Sequence, residues 1–107
     1  MNVLRIGSSQ GDIEFKEIPN APYDNLSALQ DMVGGWIEPV YIPQLEEQGI
    51  ILLANEEGLL TGMEPNENLW PFFYVGPLVA IAVKGEDFTG LNLKQSIFIR
   101  VWLDELN

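Results

Sequence analysis

The sequence predicts an α+β fold, a mostly antiparallel sheet of five or six strands with two helices packed on it. Three observations carry this. Two apolar runs of strand length, Ile50–Ala54 and Leu78–Val83, sit between turn residues. Leu26, Leu29, Met32 and Val33 recur at helical spacing and stop at a double glycine. A final segment from Leu93 is long enough for a second helix. The chain of 107 residues is expected to form one domain over 1–107, which is enough to enclose a single core.

Val3–Ile6 and Ile13–Ile18 read as an opening hairpin around Gly7-Ser8-Ser9-Gln10-Gly11. That turn is not a phosphate loop, since no helix follows and no lysine closes it. The first helix is predicted over about 25–33, with Asn25 or Ser27 as N-cap and Ser27 to Gln30 spaced as a capping box. Gly34 fits a left-handed residue that ends it, and Gly35 lets the chain turn into a strand over Trp36–Ile42. In that strand Pro39 belongs at an edge or bulge, with Trp36, Val40 and Ile42 on one face. Gln44–Gln48 reads as a charged loop. Ile50–Ala54 is the best core strand, covered on both faces.

Asn55-Glu56-Glu57-Gly58 suits a type I turn with Gly58 at positive φ, returning Leu59–Thr61 as a partner strand. Val75–Val83 is a second interior strand, and Glu86-Asp87 a polar connection. The last segment is ambiguous. Ile97, Ile99, Val101 and Leu103 alternate, while Leu93, Ile97, Val101 and Asp104 lie near helical spacing, and length favours a helix over about 93–105.

Composition excludes more than it specifies. Neither histidine nor cysteine occurs, so the commonest general base, the thiolate nucleophile and zinc-thiolate sites are all missing, and catalysis would rest on carboxylates. Sixteen acidic residues against five basic ones give a net charge of −11. Direct binding of nucleic acid is not expected, because Arg5, Lys16, Lys84, Lys94 and Arg100 are scattered. No apolar run approaches the roughly 20 residues of a membrane span, and the start lacks a basic stretch before an apolar core, so a cytoplasmic protein without membrane contact is expected. No cofactor or metal is expected. Glu56-Glu57 and Glu86-Asp87 are adjacent acids at turns, which point into water and form no cage.

Three ordered motifs invite comparison. Leu29-Gln30-x-x-Val33-Gly34-Gly35-Trp36-Ile37-Glu38 comes first, then Asn55-Glu56-Glu57-Gly58-x-Leu60-x-Gly62-x-x-Pro65-Asn66, then Gly76-Pro77-Leu78-Val79 running to Gly85-Glu86-Asp87-Phe88. Over about Leu26 to Leu91 the chain resembles a family of small proteins of unknown function from bacteriophages, plasmids and bacterial genomes. The resemblance implies a mobile-element setting and supplies no activity or catalytic residue. The chain departs from that pattern at Trp70-Pro71-Phe72-Phe73-Tyr74 and in its more apolar final segment.

The aromatic run has two readings. Trp70, Phe72 and Tyr74 can alternate into the core at the start of the last strand, with Phe73 covering an edge. Alternatively Trp70, Phe72, Phe73 and Tyr74 join Trp36 and Trp102 in an exposed patch that anchors a protein partner, a nucleobase or a second copy of the chain as a homo-oligomer. The residues favour a non-enzymatic interaction protein that engages a host protein, defence-related or nucleic-acid-binding, through that patch and the acidic surface of Glu46, Glu47, Glu56, Glu57, Glu86 and Asp87. A second reading is a sponge for a small nucleotide signal, with Arg5, Lys84 or Arg100 meeting phosphate. A third is a carboxylate-dependent, metal-using hydrolase built on Glu56, Glu57, Glu86 and Asp87.

Overall fold

The two runs that are apolar at nearly every position become adjacent interior strands, because only there can both of their faces be covered. The computed structural model describes residues 1–106. Its strands are β1 (Asn2–Ile6), β2 (Ile13–Glu17), β3 (Ile37–Val40), β4 (Ile50–Asn55), β5 (Leu78–Lys84) and β6 (Asp87–Thr89). The helices are α1 (Pro22–Val33), the one-turn α2 (Pro43–Glu46) and α3 (Leu93–Leu106), with a 3-10 turn at Glu67–Leu69. The sheet order is β2-β1-β5-β4-β3 and every pairing is antiparallel. Ala82 of β5 pairs with Ile50 of β4 on one side and Thr89 of β6 on the other. So β6 lies along the edge of β5 that β1 occupies further down, where Leu4 faces Ala80. The expected α+β class and strand number hold.

The period of two divides each interior strand between two cores. Leu4, Ile6, Ile50, Leu52, Leu78 and Ala80 pack on one face with Ile99 and Leu103 of α3 and Leu45 of α2. Val3, Ile51, Leu53, Val79 and Ile81 pack on the other with Leu29 and Val33 of α1.

Local chemistry moves several boundaries. Helix α1 starts at Pro22, with Ala21 as N-cap, rather than near residue 25, because proline's fixed φ suits the first helical position. Asn25 is therefore inside the helix and buried, its Nδ2 donating to the Asn20 carbonyl at 3.2 Å, and Ser27 forms no capping box. The C-terminus is as predicted: Gly34 takes φ 84° and its N–H donates to the Gln30 carbonyl at 2.8 Å. Within 44–48 the expected loop is partly helical, since Pro43 begins a turn that buries Leu45. Trp36 precedes β3 and is exposed, so it does not share a buried face with Val40 and Ile42.

Pro39 does sit on an edge strand. The Glu56 N–H donates to the Trp36 carbonyl at 2.8 Å, and the alternation of an antiparallel ladder then turns the Pro39 nitrogen to the free edge.

The predicted hairpin after β4 does not form. Both edges of β4 are already taken, by β3 and β5, so Leu59–Thr61 has no strand to pair with. Residues 56–62 instead coil through consecutive turns, with the Thr61 N–H donating to Glu57 and the Met63 N–H to Gly58, both at 2.9 Å. Positive φ falls at Gly62 rather than Gly58. Likewise β5 begins at Leu78, and Val75 makes only an isolated bridge to Pro65. The turn at Glu86 leads into β6, a strand the sequence reading lacked.

Helix α3 covers the predicted span to within one residue. It opens with a reciprocal capping box, in which the Gln95 N–H donates to Asn92 Oδ1 at 2.8 Å and the Asn92 N–H to Gln95 Oε1 at 3.0 Å. Its buried side is Ile99 and Leu103, whereas Leu93, Ile97 and Val101, whose spacing marked the helix, face outward.

Two buried asparagines tie the opening hairpin to the long loop before β5. Asn66 Nδ2 donates to the carbonyls of Ile6 (3.1 Å) and Gly76 (2.9 Å). Asn68 Nδ2 donates to Gly7 (2.7 Å) and Ser9 (2.9 Å), and its Oδ1 accepts from the Gly11 N–H at 2.8 Å. Asn68→Ala removes three hydrogen bonds to the hairpin backbone, of which only the one to the buried Gly7 carbonyl has no replacement from water or from another N–H, and is expected to lower unfolding free energy by about 1–3 kcal/mol in urea titration. A change under about 0.5 kcal/mol would show the tie to be dispensable.

Candidate functional site

The first two motifs and the start of the third converge at one end of the sheet. Asn55, the last residue of β4, donates from Nδ2 to the Val33 carbonyl at 3.1 Å, which fastens the end of α1. Its Oδ1 accepts from the Glu57 N–H at 2.8 Å and shapes the first turn of the 56–62 loop. The loop is closed further on, where the Gly76 N–H donates to Glu64 (2.7 Å) and the Asn66 N–H to Tyr74 (2.8 Å). Met63 fills the space beneath. A Cβ on Gly76 would lie 2.5 Å from Met63 Sδ, and Gly76 has φ +71°, so only glycine fits. Asn55, Asn66 and Gly76 thus build the loop.

Beside the exposed Glu56, Glu57 and Thr61, the loop displays large apolar side chains, and Phe73 stands near them. Leu59 is 80% exposed, Leu60 88% and Phe73 83%. All three line one hollow of about 370 Å³ with Val40, Ala54, Tyr74 and Val75, and Glu38 and Glu56 stand among them. The hollow lies at the β3 margin of the α3 face, since Glu38 and Val40 pair with Ala54 and Leu52. Trp70 extends the patch, its ring edge-on to Phe73 at 5.2 Å between centroids. Glu38 and Leu60 are motif positions, Val40 a strand residue and Leu59 part of the expected partner strand, but the sequence marks none of the four as a binding residue. For the leucines the sequence offers their place between Gly58 and Gly62 and the motif position of Leu60, neither of which separates an exposed turn from a short strand.

The aromatic run divides between its two readings. Phe72 and Tyr74 are half-buried, stacked at 6.0 Å, and Phe72 meets Trp102 of α3 at 5.9 Å; all three pack against the α3-face core. Trp70 is exposed and does not alternate into the core, because 70–74 is loop rather than strand. Trp36 stands apart from this group, on the other side of the loop, lining a hollow with Gly34, Gly35, Asn55, Glu57, Thr61 and Met63.

The charged candidates are dispersed. Arg5 lies on β1 and pairs with Asp12 at 3.1 Å, Arg100 lies on α3 near Asp104 at 3.9 Å, and Lys84 ends β5. None lines either hollow beside the loop. The antiparallel register places Glu56 and Glu57 at one end of β4, and Glu46, Glu47, Glu86 and Asp87 toward the other. Among the described residues no group of three or more acids is arranged to hold a metal ion, and no helix is long and apolar enough to cross a membrane.

Since Leu60 and Phe73 are mostly in water, Leu60→Ser and Phe73→Ser are expected to change unfolding free energy by less than about 0.5 kcal/mol. Phe72→Ala, which removes a ring packed on the core, is expected to cost about 2 kcal/mol in the same urea titrations. Equal losses at Phe72 and Phe73 would place both in the core.

A family model described as a domain of unknown function (DUF3846) matches residues 1–104. No curated protein and no solved structure matches the chain significantly. The match runs from β1 almost to the end of α3 and takes in all three motifs, and the chain belongs to the DUF3846 family.

Proposed function

We propose that this chain is a non-enzymatic protein-binding module whose binding face is the groove and patch formed by Leu59, Leu60, Phe73 and Trp70. The observation that carries the reading is the exposure of three large apolar side chains around one hollow, on a chain otherwise strongly charged. Clustered exposed aromatic and aliphatic side chains are the usual anchors of protein interfaces. The absence of His and Cys and the dispersal of the carboxylates support binding rather than catalysis. By the motif resemblance, the setting is a bacteriophage, plasmid or bacterial genome and the partner a host protein, defence-related or nucleic-acid-binding, reached from the cytoplasm.

Nothing observed favours the nucleotide sponge, since Arg5 and Arg100 each have an acidic neighbour and the binding face carries no cation. The immobilised chain, incubated with bacterial host lysate, is expected to retain a protein that the Leu60→Ser, Phe73→Ser double variant loses while a Tyr23→Ser variant keeps it. Retention that survives the double variant would overturn the assignment of the face. Native mass spectrometry after incubation with a small-molecule extract is expected to show bare protein. A retained mass of nucleotide size would instead establish sequestration.

A further inference from the structure

We infer that the groove takes an amphipathic helix of a partner protein, one whose apolar stripe is flanked by Lys or Arg. This rests on the binding face proposed above and names its occupant.

The first support is chemical complementarity. Val40, Ala54 and Tyr74 line the hollow beside the exposed Leu59, Leu60 and Phe73, so its interior offers contact to aliphatic side chains. Glu38 and Glu56 line the same hollow, are exposed, and take part in no ion pair among the described residues. No Lys or Arg lines it. An acidic or purely apolar occupant would bring these carboxylates toward a less hydrated site without a counter-charge, whereas flanking cations would pair with them.

The second support concerns backbone geometry. An extended peptide would add to the free edge of β3, but Pro39 turns its nitrogen to that edge and has no N–H to donate, so one rung would be missing. A helix satisfies its own backbone and needs only side-chain contact, which is the helix-in-groove mode.

The probe is a fluorescein-labelled synthetic helix of about four turns, with leucines at the i, i+3, i+4, i+7 positions and lysines on both flanks. Its affinity is read by anisotropy against two controls, a scrambled peptide of the same composition and a leucine-stripe peptide flanked by glutamates. The Lys-flanked helix is expected to bind at least about tenfold more tightly than the scrambled one, a difference of about 1.4 kcal/mol. Leu60→Ser with Phe73→Ser should weaken it about tenfold or more. Glu38→Gln with Glu56→Gln should weaken it several-fold and flatten its salt dependence, whereas Glu46→Gln with Glu47→Gln, toward the far end of the sheet, should leave it within about twofold. Circular dichroism and thermal melts confirm that each variant is folded.

Equal binding of the scrambled peptide, or equal sensitivity to Glu46 and Glu47, would show diffuse charge attraction and overturn the inference. If the Glu-flanked helix binds as tightly and is lost in the Leu60→Ser, Phe73→Ser variant, the face stands and its proposed occupant falls. If no peptide responds to those two substitutions, the face itself falls.

Discussion

The architecture depends on the burial of both faces of β4 and β5. Ile50 through Leu53 and Leu78 through Ala82 are almost fully removed from water, and alternation sends half of their side chains to each side. Each buried aliphatic side chain contributes roughly 1.5–3 kcal/mol, so neither face can be left uncovered. With two long helices available, one must go to each side, and α1 and α3 do so. The short α2 and the 3-10 turn at Glu67–Leu69 add Leu45 and Leu69 to the α3 side.

That division has a consequence at the β3 margin. The cover supplied by α3 leaves Val40 and Tyr74 only half-buried, and the 56–62 loop rises beside them without forming a strand. The loop is held from below, by Asn55 on the end of α1, by Met63 against Gly76 and by the closing bonds to Glu64 and Tyr74. Within it the Gly58, Thr61, Gly62 and Met63 N–H groups donate to loop or strand-end carbonyls, while Leu59 and Leu60 project outward. The proposed binding face is a by-product of how the sheet is covered, tied from beneath by hydrogen bonds.

Charge acts at a different level. A net charge of −11 spreads over the whole chain and governs solubility and long-range steering. Glu38 and Glu56 are set apart by their place, since they line the hollow that also holds the exposed Leu59, Leu60 and Phe73. In the proposed binding mode, the same carboxylate is a solvated surface group toward the Glu46 end of β4 and a specificity element at the other end.

The sequence by itself determined the α+β class, the two interior strands, the double-glycine stop of α1, the restriction of Pro39 to an edge or a bulge, and the lack of His and Cys side chains. These follow from periodicity, backbone preference and composition, all of which act locally. The Asn92–Gln95 capping box is likewise encoded locally. Tertiary structure decided the rest. Whether Leu59–Thr61 could be a strand turned on whether an edge of β4 was free, which no local pattern encodes. Whether Trp70 or Phe72 entered the core turned on the loop path after Leu69, and which side of α3 was buried turned on the position of the sheet. The groove joins residues from β3, the end of β4, the 56–62 loop and the segment before β5, and such a juxtaposition arises only when long-range strand pairing brings them to one margin of the sheet.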